Sequence, residues 1–305
     1  MTPLVSVLIP AFNVSKYIEE AVESIRVQTY KNIEIIIIDD CSSDNTFNIC
    51  QKLSKQDSRI KISKNDVNSG IAITLNKALD LSVGEYIVRM DADDISLPSR
   101  IETLFSTLND NDELDLVGSD VITIDEEGNN IGVSNLIEKN DDLIGSIKYS
   151  SPVLHIWMCK KKVYEIVGYY KNPPVEDYDF LLRCVKKGIV ICNVKECLYK
   201  VRLRSGNTVD LYGYKQLKAF EQIYKAFENN KYIPKYNEKS IISDLQQWLY
   251  KHSRNILMNG SYNLKNKKYI KAFFLFLLSA LMSTYQFRYL YRRLRLFIYK
   301  KKLIK

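Results

Sequence analysis

Ile33-Glu-Ile-Ile-Ile-Ile38 constrains the chain more than any other segment: five isoleucines are interrupted only by Glu34. A run that short, β-branched and apolar on both faces reads as a central parallel strand with helices packed above and below it. Its surroundings agree. Val5 to Ile9 is a second buried strand, and between the two Ile18, Ala21, Val22 and Ile25 recur at helical spacing from Ser15 to Gln28. Asn45 to Gln56 reads as a helix and Ile60 to Ser63 as a short strand. Ile71, Leu75 and Leu79 mark another helix face ahead of a strand from Tyr86 to Met90. Pro98 to Leu108 follows as a helix with Ile101, Leu104, Phe105 and Leu108 on one side. This alternation predicts an α/β fold with a doubly wound, mostly parallel sheet and helices on both faces.

Past Leu114 the rhythm changes. Leu116 to Ile124 and Asn130 to Val133 flank Glu126-Glu-Gly-Asn129, a hairpin expected at the sheet edge. Val153 to Cys159, Ile189 to Cys192 and Cys197 to Val201 read as strands, and Tyr178 to Lys187 as a helix. The rest reads as helices: Tyr214 to Phe227, Ser240 to Met258, Tyr269 to Ser283, and Tyr285 to about Tyr299. The expected division is an α/β domain over residues 1–210 and an all-helical region over 211–305.

The net charge of +8 conceals a sharp division. From Leu245 onward there are 14 Lys/Arg and no Asp or Glu; the preceding residues hold 30 basic and 36 acidic groups, a net of −6. The C-terminal stretch therefore faces something anionic, while the mainly acidic body argues against nucleic acid as a partner. Arg288, Arg292, Arg293, Arg295 and Lys300 to Lys302 are interleaved with Tyr289, Tyr291, Leu294, Phe297 and Tyr299, the pattern of an interfacial helix on an anionic membrane. The apolar stretch Ala272 to Met282 is shorter than the ~20 residues that span a bilayer and reads as a helix packed on the protein. The six cysteines form no CxxC pair or zinc spacing, which points to a reducing compartment. With no signal-peptide pattern at the N-terminus, a cytoplasmic location is expected, peripheral on the inner face of the cell membrane.

The chemistry concentrates at strand ends. Tyr86 to Met90 runs into Asp91, Asp93 and Asp94, with only Ala92 between them. In an open parallel sheet ligands bind beyond the carboxyl ends of the strands. Clustered carboxylates there repel one another unless a cation sits among them, and Mg²⁺ or Mn²⁺ shared with a substrate's phosphates would do so. Asp94 and Ser96 also stand where they could cap the helix that follows. The first strand ends in Pro10-Ala-Phe-Asn13 and the second in Asp39-Asp-Cys-Ser-Ser-Asp44; with the Asn68-Ser-Gly70 loop they open on the same crevice. Asp40 suits the N–H of a base, and Phe12 offers a face for stacking.

Four segments together resemble the family 2 glycosyltransferases, inverting enzymes of the GT-A (Rossmann-like) fold. They are Val5 to Asn13, Ile38 to Thr46, Gly84 to Asp94, and Val175-Glu-Asp-Tyr-Asp-Phe-Leu-Leu-Arg183. The match runs from about residue 4 to 204 in consistent order. The resemblance implies a nucleotide-diphosphate sugar donor, a UDP-sugar first, and a glycan or lipid-linked saccharide acceptor of the surface-polysaccharide type. It would place Pro10, Ala11, Phe12 and Asn13 at the nucleoside, Asp40 on the base, and Asn68, Gly70 and Ala92 along the donor. Asp91 would lie near ribose and metal, and Asp93 would be the main ligand of Mg²⁺ or Mn²⁺. Asp177 would be the base that deprotonates the acceptor hydroxyl. His155, Trp157 and Glu176 fall where acceptor or diphosphate contacts are expected. Arg202 and Arg204 stand where similar proteins often carry a His, and would meet the diphosphate instead.

Two other readings compete. A sugar-phosphate nucleotidyltransferase would need a Gly-rich phosphate loop with a basic residue after the first strand, which Pro10-Ala-Phe-Asn13 is not. A non-catalytic nucleotide-sugar-binding subunit would have no need of Asp93 and Asp177 together. No GxGxxG follows any strand, so a nicotinamide dehydrogenase is disfavoured.

Overall fold

A computed structural model describes residues 2–171, 174–204, 208–229 and 244–303. The chain opens in strict alternation: β1 (Val5–Ala11), α1 (Ile18–Arg26), β2 (Ile33–Asp39), α2 (Thr46–Gln56), β3 (Ile60–Lys64), α3 (Ile71–Leu81) and β4 (Tyr86–Arg89). The four strands lie side by side in the order β3-β2-β1-β4, all parallel. The isoleucine run does what its pattern demands. Ile35 and Ile37 enter one apolar layer with Val7, Ile9, Val22 and Ile25, and Ile36 and Ile38 enter the opposite layer with Leu8, Leu75 and Leu79. Each such side chain, fully buried, contributes up to ~1.5–3 kcal/mol.

The second half supplies β5 (Ile95–Ser96), α4 (Arg100–Asn109), β6 (Leu116–Ile124), β7 (Asn130–Val133), α5 (Asn140–Ser146), β8 (Met158–Lys160), α6 (Lys162–Val167), α7 (Glu176–Lys186) and β9 (Ile191–Arg202). The sheet continues from β4 through β8, β6, β9 and β5, with β7 pairing to β6. β8 runs antiparallel to β4 and β6, while β6 and β9 are parallel, so this half is mixed.

Local expectations change here for identifiable reasons. The β6–β7 hairpin forms, but β6 lies inside the sheet and only β7 hangs off it. The strand expected over Val153 to Cys159 shrinks to β8. Arg100 explains part of this: its guanidinium is fully buried and donates to the carbonyls of Arg89 (2.7 Å) and Ile156 (2.6 Å), holding the preceding residues in turns. The two late strands are one, because the β6–β9 ladder shifts register around Asp120 and absorbs the polar residues Lys195 and Glu196. Asp94 and Ser96 do not cap α4, which starts at Arg100; Ile95 and Ser96 pair with Lys200 and Tyr199 on β9.

The chain divides into two compact units, residues 1–147 with 151–207 and residues 148–150 with 208–305. The second is helical among its described residues: α8 (Thr208–Glu228), α9 (Asp244–Lys265), α10 (Tyr269–Met282) and α11 (Thr284–Leu303). Ser240 to Ser243, the expected start of α9, lie outside the described residues. No described helix is long and apolar enough to cross a membrane.

Candidate active site

Parallel pairing sets Ala11 beside Asp39 and Leu8 beside Arg89, so β1, β2 and β4 end at one edge of the sheet. The loops leaving β1 and β2 each contain a left-handed residue other than glycine, Asn13 (φ 50°) and Cys41 (φ 61°). Backbone of that kind is strained and tends to mark functional loops. Asn13 locks the two loops together: its N–H donates to Ser42 Oγ (3.0 Å) and its Oδ1 accepts from the Ser43 N–H (2.9 Å). Pro10 and Ala11 are buried in β1, and Phe12 is exposed, its ring open for stacking.

Asp40 is buried and already occupied. Its Oδ1 accepts from Asn65 Nδ2 and the Ser69 N–H, both at 2.8 Å, and its Oδ2 from the Gly70 N–H at 2.8 Å. Gly70 reaches that position with φ 83°, which a side chain would oppose. Asp40 therefore pins the 65–70 loop and keeps lone-pair capacity on Oδ2 for a ligand. Asn68 is exposed at the tip of that loop.

At the end of β4 the acids crowd. The Asp91 N–H donates to Tyr199 Oη (3.1 Å), which fixes the backbone of the turn. Its carboxylate lies 3.4 Å from Arg89 Nε and 3.0 Å from His155 Nε2. Burial works against ionisation of Asp91, but the His155 and Arg89 charges outweigh it and hold its pKa below the usual carboxylate range. Burial and the Asp91 charge push Asp93 up, and burial with repulsion from Asp93 and Asp91 pushes Asp94 well above the usual carboxylate range. Asp93 pairs with Arg204 Nε at 2.5 Å, and Asp94 Oδ1 accepts the Arg202 N–H at 2.7 Å. Ala92 is buried beneath the turn.

Facing this turn is the N-terminus of α7. Glu176 is buried and meets Arg89 Nη1 at 3.2 Å. Burial raises its pKa, Arg89 opposes the rise, and Asp177 adds repulsion. Asp177 is half-buried, and its Oδ1 accepts the Tyr178 N–H at 2.7 Å. Its charge acts on Arg89, His155 and Glu176 alike, so it shares one electrostatic neighbourhood with Asp91. Burial disfavours a charged His155, but Asp91 and Asp177 overcome this and raise its pKa. Pro173 lies outside the described residues.

Two expected contacts are corrected. Trp157 is fully buried, stacked on Phe180 with centroids 5.5 Å apart, and is a core residue rather than an acceptor or diphosphate contact. Arg202 is committed internally: it reaches Glu20 at 2.6 Å, the Asp93 carbonyl at 2.9 Å, and the carbonyls of Asp125 and Glu126. Arg204, partly exposed, makes its ion pair with Asp93. His155 sits in a turn before β8 rather than in a strand.

Sequence reasoning had Asp94 in the acid cluster, with capping as a second possibility, but missed Arg89 and Arg100. For Arg89 the signal available was a lone arginine inside the apolar strand Tyr-Ile-Val-Arg-Met, since an arginine is rarely buried without partners for its guanidinium.

The turn fits a divalent ion. Oxygens of Asp91 and Asp94 and a ring nitrogen of His155 lie within 4.8 Å of one another. His155 Nε2 is buried 3.0 Å from an Asp91 oxygen without the alignment of a regular hydrogen bond. Acids whose ionisation is suppressed by mutual repulsion are the groups a cation would relieve. Asp93, the ligand expected from sequence, is not part of this group and is paired with Arg204.

A parallel half-sheet ending in an acidic turn and continued by mixed strands is the GT-A glycosyltransferase fold. S. aureus TarS 1–349, determined with UDP-GlcNAc, superposes with a TM-score of 0.60 at 20% identity, covering 83% of this chain and 80% of that one. The mannosyltransferase PcManGT of Pyrobaculum calidifontis, with GDP-Man and Mn²⁺, gives 0.58 at 15% identity, covering 92% and 76%. The sequence model of Glycosyl transferase family 2 matches residues 6–168. An uncharacterized glycosyltransferase of Haemophilus influenzae is 35% identical over 233 residues, 72% of each chain. The putative teichuronic acid biosynthesis glycosyltransferase TuaG of Bacillus subtilis is 45% identical over 92 residues, 30% of this chain and 36% of that one. The chain belongs to glycosyltransferase family 2 and is a glycosyltransferase.

Proposed function

We propose that the protein is an inverting glycosyltransferase that moves a sugar from a nucleotide-diphosphate sugar, a UDP-sugar first, to a glycan or lipid-linked saccharide in surface polysaccharide synthesis. The observation that carries the reading is the electrostatic unit formed by Asp91, Arg89, His155, Glu176 and Asp177, which sets a half-buried carboxylate opposite the acidic turn at the end of β4. Asp177 takes the proton from the acceptor hydroxyl as its oxygen bonds to the anomeric carbon from the face opposite the diphosphate. The bond to the diphosphate breaks on the other side, and the configuration inverts. Phe12 stacks on the base while Asp40 Oδ2 accepts one of its N–H groups. Arg204 moves from Asp93 to the diphosphate oxygens, a geometry its planar fork suits. Asp91, Asp94, His155 and, once released, Asp93 would hold Mn²⁺ or Mg²⁺, which when bound neutralises charge on the leaving diphosphate.

The nucleotide sugars bound by the two structural neighbours support the donor class, and the teichuronic acid relative supports the polysaccharide setting. The cation-rich C-terminal helices suit a peripheral place on an anionic membrane at the cytoplasmic face, where a lipid-linked acceptor would be met. The test is Asp177→Asn against Asp93→Asn. Asp177→Asn should keep donor affinity in the presence of Mn²⁺ while transfer falls about 10²–10⁴-fold. Asp93→Asn should weaken donor binding itself. Equal loss of donor affinity in both, measured by calorimetry, would refute the division of roles.

A further inference from the structure

We propose that the outer face of α10 is the surface that docks on an anionic bilayer, with the helix lying in the plane of the headgroups. The inference rests on the membrane-surface reading above and names the element responsible. Sequence patterning assigned the apolar stretch Ala272 to Met282 to packing and the interfacial role to α11. The structure divides α10 differently. Ala272 and Ser279 are buried, Leu275, Phe276 and Ala280 are half-buried, and the Ser279 hydroxyl donates to the Ser253 carbonyl of α9 at 2.6 Å. Phe276 packs against Gly260 of α9, where an added Cβ would meet its ring at 2.6 Å. That face is the inner one.

Ile270, Phe273, Phe274, Leu277, Leu278 and Leu281 form the other face, at the i, i+3, i+4, i+7, i+8, i+11 spacing of one helical stripe. All six are exposed, Ile270 and Leu281 at 77% and Phe273 and Phe274 at 62%. An uninterrupted apolar stripe of this size is uncommon on a soluble monomer and marks an interaction site. At ~1.5 Å per residue the helix is about 21 Å long, too short to span the ~30 Å hydrocarbon core and suited to lying along its surface.

Charge selects the occupant. Lys267, Lys268 and Lys271 are exposed around the start of α10, and α11, beginning two residues after it ends, carries Arg288, Arg293, Arg295, Lys301 and Lys302 exposed. No Asp or Glu occurs from Leu245 to Lys305. A second copy meeting this face would bring like charge to like charge, whereas an anionic bilayer offers acyl chains to the stripe and phosphates to the rim.

The test is co-sedimentation of the full chain with phosphatidylcholine vesicles, with and without phosphatidylglycerol to give an anionic surface. The wild type should bind only the anionic vesicles. F273S/F274S/L277S should bind at least tenfold more weakly at an unchanged melting temperature, and F273L/F274L should bind as the wild type does. Undiminished binding of the triple serine variant, with binding lost instead on R288Q/R293Q/R295Q, would overturn the assignment to α10 while leaving the membrane reading standing. No binding by the wild type would remove both. A wild-type dimer that the serine variant converts to monomer would show the face to be a contact between copies and would also overturn the proposal.

Discussion

Arg89→Met should be among the most damaging single substitutions in the catalytic unit. The Arg89 side chain is 4% exposed and is held between Asp91 (3.4 Å) and Glu176, itself 8% exposed (3.2 Å), with the Tyr170 ring 5.9 Å from the guanidinium carbon. Methionine fills much of the volume but strands Glu176 beside Asp177 and leaves Asp91 with His155 alone. Removing one partner of a buried ion pair costs about 3–5 kcal/mol, because the remaining charge loses its compensation. For a unit of this size each kcal/mol lowers the melting temperature by ~2–4 °C, so a fall of roughly 6–20 °C is expected. Glu176→Gln should cost less, since Arg89 keeps Asp91. The assay is a double-mutant cycle by urea unfolding with Arg89→Met, Glu176→Gln and the pair. The pair should be more stable than the sum of the singles predicts, with a coupling of about 1–3 kcal/mol. Strict additivity, or a loss below about 1 kcal/mol for Arg89→Met, would refute the view that this arginine joins the acidic turn to α7.

Three further outcomes follow from other contacts. Trp157→Ala should destabilise by about 3–5 kcal/mol through an unfilled core site, with donor affinity of the remaining folded protein unchanged by calorimetry; selective loss of affinity would mean the ring touches substrate after all. Asp40→Ala should release the 65–70 loop, seen as faster amide exchange at Ser69 and Gly70, and weaken nucleotide binding at least tenfold, about 1.4 kcal/mol. The Asp44 carboxyl is pushed down to about 2: burial opposes ionisation, but hydrogen bonds from Thr46 and Ser15 outweigh it. Because its folded pKa lies below the unfolded value of ~3.9, its contribution is present above pH ~4 and lost as pH falls toward 2. Asp44→Ala should therefore narrow the gap in melting temperature between pH 6 and pH 2.5.

The parallel half of the fold was legible because its signals are local. Ile33 to Ile38 can satisfy its side chains only between two helical layers, and the helices beside it show clear 3.6-residue periodicity. The mixed half was less so. The course of Val153 to Ile156 depends on the distant Arg100, and β5 is two residues long and exists through its pairing with β9. At the site, Asp91, Asp93, Asp40 and Asp177 could be found as residue types at strand and helix ends. What each carboxylate touches could not. That Asp93 is taken by Arg204, that His155 lies beside Asp91 and Asp94, and that Arg202 is consumed by Glu20 and three carbonyls are facts of tertiary packing. The face of α10 left outward was hidden for the same reason: the stretch is apolar nearly all round, and only the packing of α9 against Ala272, Phe276 and Ser279 decides which side remains.

The most direct test of the central claim is diffraction at the manganese edge from crystals grown with Mn²⁺ and a nucleotide-diphosphate sugar. An anomalous peak should lie on the carboxylates of the Asp91 to Asp94 turn, with the diphosphate reaching Arg204 and the anomeric carbon facing Asp177. A peak away from that turn, or a sugar whose anomeric carbon is turned from Asp177, would contradict the account.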